Sequence, residues 1–552
     1  MCRTPCFLLS LVGLVGLLIP LAGSPGPAGT EISSTSATRW GLATAGPSRT
    51  IEQWDALGWA VEQVGNTVFV GGRFLDVTNG STTARQPHFA AFDADTGQWQ
   101  SWFTPQVQSP VLALEASPDG GLFVGGEIDS WNGQTIGALQ KIDPKTGATW
   151  PGWTTRVYGG NSAVQDLHLG DDGWLYVVGN FTTASRAGQP QAATGAVRID
   201  PTTGAIDQGW KPIISASGSV WGVTTSEVSN LVYLSGSFFS VNGLAGTGGF
   251  VGLDTTASVV VGRSVVPFNG CTTVSSTYCV TMFDVEATAA GTLFVGGVEH
   301  ALYVLDELNG FRLIKQHYTA CNPNLNAVCQ SANWFGGEFQ ELEEAGDRVY
   351  AVCHCWYDYY SDTTLIRHTQ PHGVHSTVSS ISAIDAATGD RIQTFRPYLT
   401  GDAGGWAPHV NPVDGCLWAA GGFDSVGPVG ARRSARDLVR LCDEAGPGPA
   451  GVPDTPPPTP VSCAISLTGT TATVSWPSQI GLDSVVVERQ VNSGTWNWRS
   501  RVTTPTFSEP VTANALTAYR VKYRFTTGQI SEPVVCAPPI DLRLLLQSPP
   551  SC

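Results

Sequence analysis

"NTVFVGGRF", residues 66–74, is a short apolar run ending in a glycine pair, and the phrase returns as "GGLFVGGEI" at 120–128 and "AGTLFVGGVE" at 290–299. Aligned on its aromatic residue, it has seven copies, at Phe69, Phe123, Tyr176, Tyr233, Phe294, Tyr350 and Trp418, spaced by 54, 53, 57, 61, 56 and 68 residues. A second phrase, "VRIDPTTG" in its fullest form, follows each copy and places an aspartate at 93, 143, 200, 254, 306, 385 and 443. One supersecondary unit is therefore written seven times, and a unit of this size cannot bury its own faces without neighbours.

The strands of one unit can be read in order. An apolar strand such as "VLALEASPDG" ends in an Asp-Gly turn, and the strand carrying the VGG phrase follows, its glycines letting neighbouring backbones approach closely. A loop with Asn-Gly comes next ("DVTNG", "DSWNG", "FSVNG"), then a third strand that runs into the Asp-x-x-Thr-Gly turn. An outer strand with an aromatic closes the unit, at Trp102, Trp153, Trp210 and Phe395. The repeated aspartates are turn-capping residues on this reading, since seven copies of one carboxylate do not make a catalyst. The period, with no helical periodicity inside it, predicts an all-β fold: a seven-bladed β-propeller. The last unit lacks an outer strand, and "TRWGLATAGP" (Thr38 to Pro47) has no other home, so that segment is expected to complete the seventh blade.

Composition agrees. Gly (64) and Pro (36) are plentiful in the 552 residues while charged residues make up 13%, which suits short strands and tight turns. The net charge of −16 comes without a basic block, which excludes nucleic acid as an expected partner. Arg3, the apolar run Phe7 to Leu21 and the small residues after it read as a secretory signal peptide over 1–28, with no membrane insertion after its cleavage. The run is short for a membrane span. The product is expected to be secreted and monomeric.

Setting aside Cys2 and Cys6 leaves eleven of the thirteen cysteines. Cys271 with Cys279, Cys321 with Cys329 and Cys353 with Cys355 are close pairs that read as disulfides in an oxidising compartment. Cys416 and Cys442 flank the paired strands of the last unit and would lock its seam. Zinc is the competing reading, weakened by the absence of any CxxC pair.

The order VGG-x-F, V-N-G, L-D-x-x-T-G and a closing aromatic followed by Pro resembles the delta-sixty type propeller repeats of secreted bacterial proteins. "FSVNG", "RIDPTTGAIDQGWKP" and "AIDAATGDRIQTFRP" carry the likeness, which spans roughly residues 57 to 445. It implies a propeller of the broad quinoprotein-like and WD-like kind, with no general activity to carry over.

The propeller is expected over 36–445, and "GPGPAGVPDTPPPTP" (446–460) is a linker that holds no core. Beyond it, 461–539 alternates apolar and polar residues as a small β-sandwich does, with a tail at 540–552. Trp476 and Tyr519 resemble the fibronectin type III pattern, and Cys463 and Cys536 bracket the module as a pair.

Chemistry is sparsely signalled. There is no GxSxG, GxxxxGK[ST], HExxH or CxxCH, and no cofactor is called for. One region departs from the repeat, residues 320 to 364, where Trp334, Glu338, His354, Trp356 and Tyr359 combine rings, a carboxylate and an imidazole. Such a set suits a glycan or small polar ligand, since rings stack on apolar faces while polar groups fix orientation. The competing reading is a cysteine-rich insertion that needs aromatics simply to fold. A zinc site at His368, His372 and His375 is weaker. The leading function is extracellular binding or adhesion to a glycan or protein ligand. The alternative is a polysaccharide-active or quinoprotein-like redox enzyme using residues 320–375.

Overall fold

The computed structural model describes residues 40–43, 58–215, 218–244, 246–262, 281–297, 300–320, 337–355, 358–364, 373–401, 404–412, 415–427 and 432–442. In the C-terminal region it describes 462–478, 482–492, 496–502, 504–511, 516–525, 534–537 and 539–541. These residues form strands, turns and bridges, with no α-helix among them. Cys271, Cys279, Cys321, Cys329, Trp334, Trp356, His368, His372 and Asp443 lie outside them, as do the leader and the linker.

The repeat is a three-stranded antiparallel sheet. Its inner strands, in chain order, are Gly58–Val64, Val111–Ala116, Ala163–Leu169, Val220–Thr225, Met282–Ala287, Phe339–Ala345 and Gly404–Val410. Each pairs with the VGG-type strand that follows it, and that strand pairs with a third ending at the aspartate turn; the first sheet, for example, is Gly58–Val64, Thr67–Gly72 and Phe89–Asp93. Two sheets carry a further outer strand, Val260–Gly262 in one and Arg312–Ala320 in the other. Elsewhere the outer strand shrinks to single bridges such as Phe92 to Trp99 and Ile199 to Ile206. Each inner strand packs against the next one in sequence, and Gly404–Val410 packs against Gly58–Val64.

The glycine pair has the spatial reason expected of it. A Cβ on Gly71 would lie 2.5 Å from Val111 Cγ1, and one on Gly125 would lie 2.5 Å from Val164 Cγ1, so the first glycine of the phrase makes room for the next inner strand. The aspartates cap turns as read: Asp200 Oδ1 accepts from Thr202 N at 3.0 Å and Thr203 N at 2.7 Å, and Asp385 Oδ1 accepts from Thr388 N at 2.8 Å. Among the closing aromatics, Trp153, Trp210 and Phe395 are buried, but Trp102 is half exposed. Its neighbour Phe103 takes the buried place, with ring centroids 5.1 Å from Phe69 and 5.4 Å from Phe89.

Two expectations are corrected. The N-terminal segment does not extend the sheet of Gly404–Val410, Leu417–Gly422 and Leu438–Leu441. Gly41–Ala43 pairs instead with Asp76–Thr78, placing Leu42 opposite Val77. The same arrangement recurs along the chain. The segment leaving one unit pairs with the outer hairpin of the next, Val157 opposite Ala184, with single bridges from Val107 to Trp131, Ile214 to Val241 and Thr400 to Ser425. Leu42 thus holds the place that a preceding unit's exit segment holds elsewhere. It also touches the last unit, since Leu42 N donates to Arg436 O at 2.8 Å and Trp40 and Leu42 share a core with Trp418, Ala420 and Leu438.

The second concerns only the described part of residues 320–364, since 321–336 and 356–357 lie outside the described residues. Asp358–Asp362 and Val374–Thr377 are the ordinary outer hairpin of their unit, paired to Arg312–Ala320 of the unit before to give a six-stranded sheet.

The C-terminal region forms two sheets. Ala464–Thr468, Thr471–Ser475 and Thr506–Pro510 make one; Trp496–Val502, Leu482–Val491, Leu516–Phe525 and Val534–Val535 make the other, joined by Ile540–Asp541. Val474, Trp476, Val487, Tyr519, Val521 and Tyr523 fill the space between them. Cys463 and Cys536 pair there, Cys416 pairs with Cys442, and Cys353 pairs with Cys355.

Candidate functional site

Every inner strand carries a bulge at the same place, between Gly58 and Ala60, Val111 and Ala113, Val164 and Asp166, Val220 and Gly222, Met282 and Asp284, Phe339 and Glu341, and Gly405 and Ala407. A bulge adds one residue to a strand and re-aims its side chain. The added residues are Trp59, Leu112, Gln165, Trp221, Phe283, Gln340 and Trp406, and all of them line one cavity.

The aromatic members come in two pairs. Trp59 stacks on Trp406 with centroids 4.4 Å apart, and Trp221 meets Phe283 edge-on at 5.3 Å. Arg73 lies 4.5 Å from the Trp59 ring centre and pairs with Glu127 at 3.3 Å. The two glutamines differ from them in kind. Gln340 is 7% exposed and its amide makes no hydrogen bond among the described residues.

Behind the bulges the strands alternate carboxylates. Asp166, Asp284 and Glu341 lie next to the bulge residues and line the cavity. Two positions further along are Glu62, Glu115, Glu286 and Glu343, with His168 and His409 at the same level. The inner strand is the edge of its sheet, and an edge leaves backbone N–H groups unpaired. These carboxylates satisfy them across the gap to the next unit. Asp166 Oδ2 accepts from Val223 N at 2.8 Å, Asp284 Oδ2 from Leu342 N at 2.7 Å, Glu286 Oε1 from Glu344 N at 3.0 Å and Glu343 Oε1 from Val410 N at 2.8 Å.

Crowding them away from water raises their pKa values. Burial pushes Asp166 and Glu343 up to about 7 and Glu286 up to about 8, against the pull of those same N–H groups. Burial, with the neighbouring carboxylates second, holds Asp284, Glu115 and Glu341 well above the usual range. Burial pulls His168 down to about 4, so it is neutral beside them. No Lys or Arg stands on any of the seven inner strands.

Of the residues singled out in the sequence, Trp334 and Trp356 lie outside the described residues, and Glu338, His354 and Tyr359 do not line this cavity. Glu338 is buried, and His354 Nδ1 lies 3.7 Å from its Oε2. Burial alone would raise the Glu338 carboxyl, yet the hydrogen bond from His354 and the charge of His300 hold it below its ordinary value. Tyr359 is completely buried, 6.4 Å from Phe339 and under the Arg391 guanidinium at 4.7 Å, so its ring offers no face to a ligand. The bulge ring was missed because its residues differ from unit to unit. The signal that would have found it is the acid recurring in five of the seven first strands, as in "GWAVEQV", "VLALEA" and "MFDVEA".

No family model matches the chain, and neither does any curated protein. Solved structures that it is similar to include Saccharomyces cerevisiae Sqt1 (9% identity, 73% of this chain and 100% of that one, TM-score 0.40). The WD40 β-propeller domain of Doa1 shows 12% identity over 73% of this chain and 96% of that one, TM-score 0.35. The extracellular domain of a hybrid two-component system from B. thetaiotaomicron shows 9% identity over 87% of this chain and 68% of that one, TM-score 0.28. The fold assignment rests on the strand arrangement itself. Consecutive sheets that pack inner strand to inner strand define an all-β repeat protein of the β-propeller type.

Proposed function

We propose that this is a secreted recognition protein. Its seven units close as the seven blades of one ring, the fibronectin type III-like sandwich is an appended spacer, and the ligand enters the cavity at the inner strands. Closure is supported by the packing of Gly404–Val410 on Gly58–Val64 and by Trp40 and Leu42, which belong to the cores of both end units. Three cysteine pairs and the signal-like leader support export.

The observation that carries the function is the aromatic ring itself. Trp59, Trp406, Trp221 and Phe283 are held at bulges and line the cavity, although Trp59 and Trp406 also pack with Leu112 as a small buried cluster. Rigid rings with a few convergent polar groups are what a saccharide site needs, so a glycan is the expected ligand. Purified oxidised protein is expected to bind members of a glycan array. The variant Trp59→Ala/Trp406→Ala should lose that binding while its melting transition stays cooperative. Retention of full glycan binding by the variant would place recognition elsewhere.

A further inference from the structure

Glu341 differs from its counterparts for a reason visible in the sequence. Asp166 and Asp284 hold the same position on their strands, and each accepts the N–H of the residue one past the next strand's cavity-side neighbour, Val223 and Leu342. For Glu341 the corresponding residue on Gly404–Val410 is Pro408. Proline has no N–H to give. Glu341 makes no hydrogen bond among the described residues, and it lines the cavity beside Gln340, whose amide is equally unpartnered and nine-tenths buried. A carboxylate and an amide are thus left over from the inter-unit bonding, next to the stacked rings.

Polar groups that face a cavity without a protein partner are left for water or a ligand to complete. The charge of the ligand follows from the surroundings. Glu341 faces Asp284, Asp166, Glu343 and Glu286, the histidines His168 and His409, whose pKa values burial lowers, stand at the deeper level, and Arg73, the cation over the Trp59 ring, is engaged by Glu127. A positive group at Glu341 favours the ionised form of these acids and is attracted by each one that has released its proton, whereas a neutral hydroxyl gains only a hydrogen bond. Among the described residues no three of these acids and histidines are placed to hold a metal ion. An organic ammonium fits, because its carbon frame can lie on the aromatic pairs while its charge meets the acid.

We propose that the cavity selects an amine-bearing saccharide, its ammonium on Glu341, a hydroxyl on Gln340 and its sugar faces on Trp59–Trp406 and Trp221–Phe283. This rests on the glycan reading above and narrows it. The amine, not the ring stacking, then sets specificity, and Pro408 is what frees Glu341 to provide it.

Isothermal titration of the full chain with a glucosamine trisaccharide, its N-acetylated counterpart and cellotriose tests this. The free-amine sugar is expected to bind at least ~10-fold more tightly than the other two, about 1.4 kcal/mol. Glu341→Gln should abolish the preference, the free-amine sugar falling to the affinity that the same variant shows for cellotriose. Pro408→Ala, which restores an N–H for Glu341 to accept, should also weaken the amine sugar selectively. Equal binding of all three, lost in Trp59→Ala/Trp406→Ala, would overturn the amine assignment and leave the glycan site standing. No binding by any of the three, or amine preference intact in Glu341→Gln, would overturn both assignments or the role of Glu341 respectively.

Discussion

A single methyl group added at Gly125 would sit 2.5 Å from Val164 Cγ1 and 2.9 Å from Val164 Cβ, inside the contact between two units. Overpacking of this kind costs ~1–3 kcal/mol. Gly125→Ala should therefore lower the denaturant midpoint of the repeat region, and a midpoint equal to wild type would show that the two strands can part freely. At this scale the sequence was legible wherever geometry imposed one residue type, as with the VGG glycines and the turn aspartates. It was ambiguous where two candidates stood side by side. Trp102 and Phe103 are adjacent aromatics, and only packing against Phe69 and Phe89 decides that Phe103 faces inward. The same limit hid Glu341, whose lack of a partner depends on a proline 67 residues further along the chain.

At the scale of elements, the N-terminal strand does not pair where the sequence reading put it. The leftover segment contacts both end units, through the outer hairpin at Asp76–Thr78 and through Arg436 O. The rule that exit segments pair with the following hairpin is not visible in a single unit, because its two halves lie in consecutive repeats. Leu42 is 2% exposed at that junction. Leu42→Ala should cost ~2–5 kcal/mol, read as a loss of melting temperature, and a surface-like loss below ~0.5 kcal/mol would remove the segment from the end-to-end contact. The Cys416–Cys442 pair, closing 26 residues around the last unit's strands, acts at the same seam. Replacing both cysteines with serine should lower stability by ~2–4 kcal/mol, and more so in Leu42→Ala protein if the two features hold one junction.

Over the whole molecule, the carboxylates of the inner strands make stability depend on pH. Asp166 and Glu343 titrate near 7 and Glu286 near 8 in the folded chain, all above their unfolded values. The folded state therefore holds protons that the unfolded state has released, and the stability these groups contribute is lost as pH rises through 7 to 8. His168, pulled down to about 4, opposes this trend only below its unfolded value of about 6.5. The melting temperature should fall between pH 6.5 and 8.5, and Glu286→Gln should flatten the fall. A melting temperature that rises over that interval would mean that the acids are solvated.

The repeat and its inner edge also explain how far the functional site could be read in advance. A propeller keeps its edges short, and here the innermost edges are answered by side chains from the neighbouring unit. The acids that look like a site are mostly that inter-unit bonding, and Glu341, proposed above as a ligand group, is an exception to it. A diffraction structure of the oxidised protein soaked with the glucosamine trisaccharide tests this account most directly. The expected result is a closed ring of seven blades with a sugar on the Trp59–Trp406 stack and its nitrogen within hydrogen-bond distance of Glu341. Sugar density at Glu338 and His354 instead, with an empty cavity at the bulges, would contradict it.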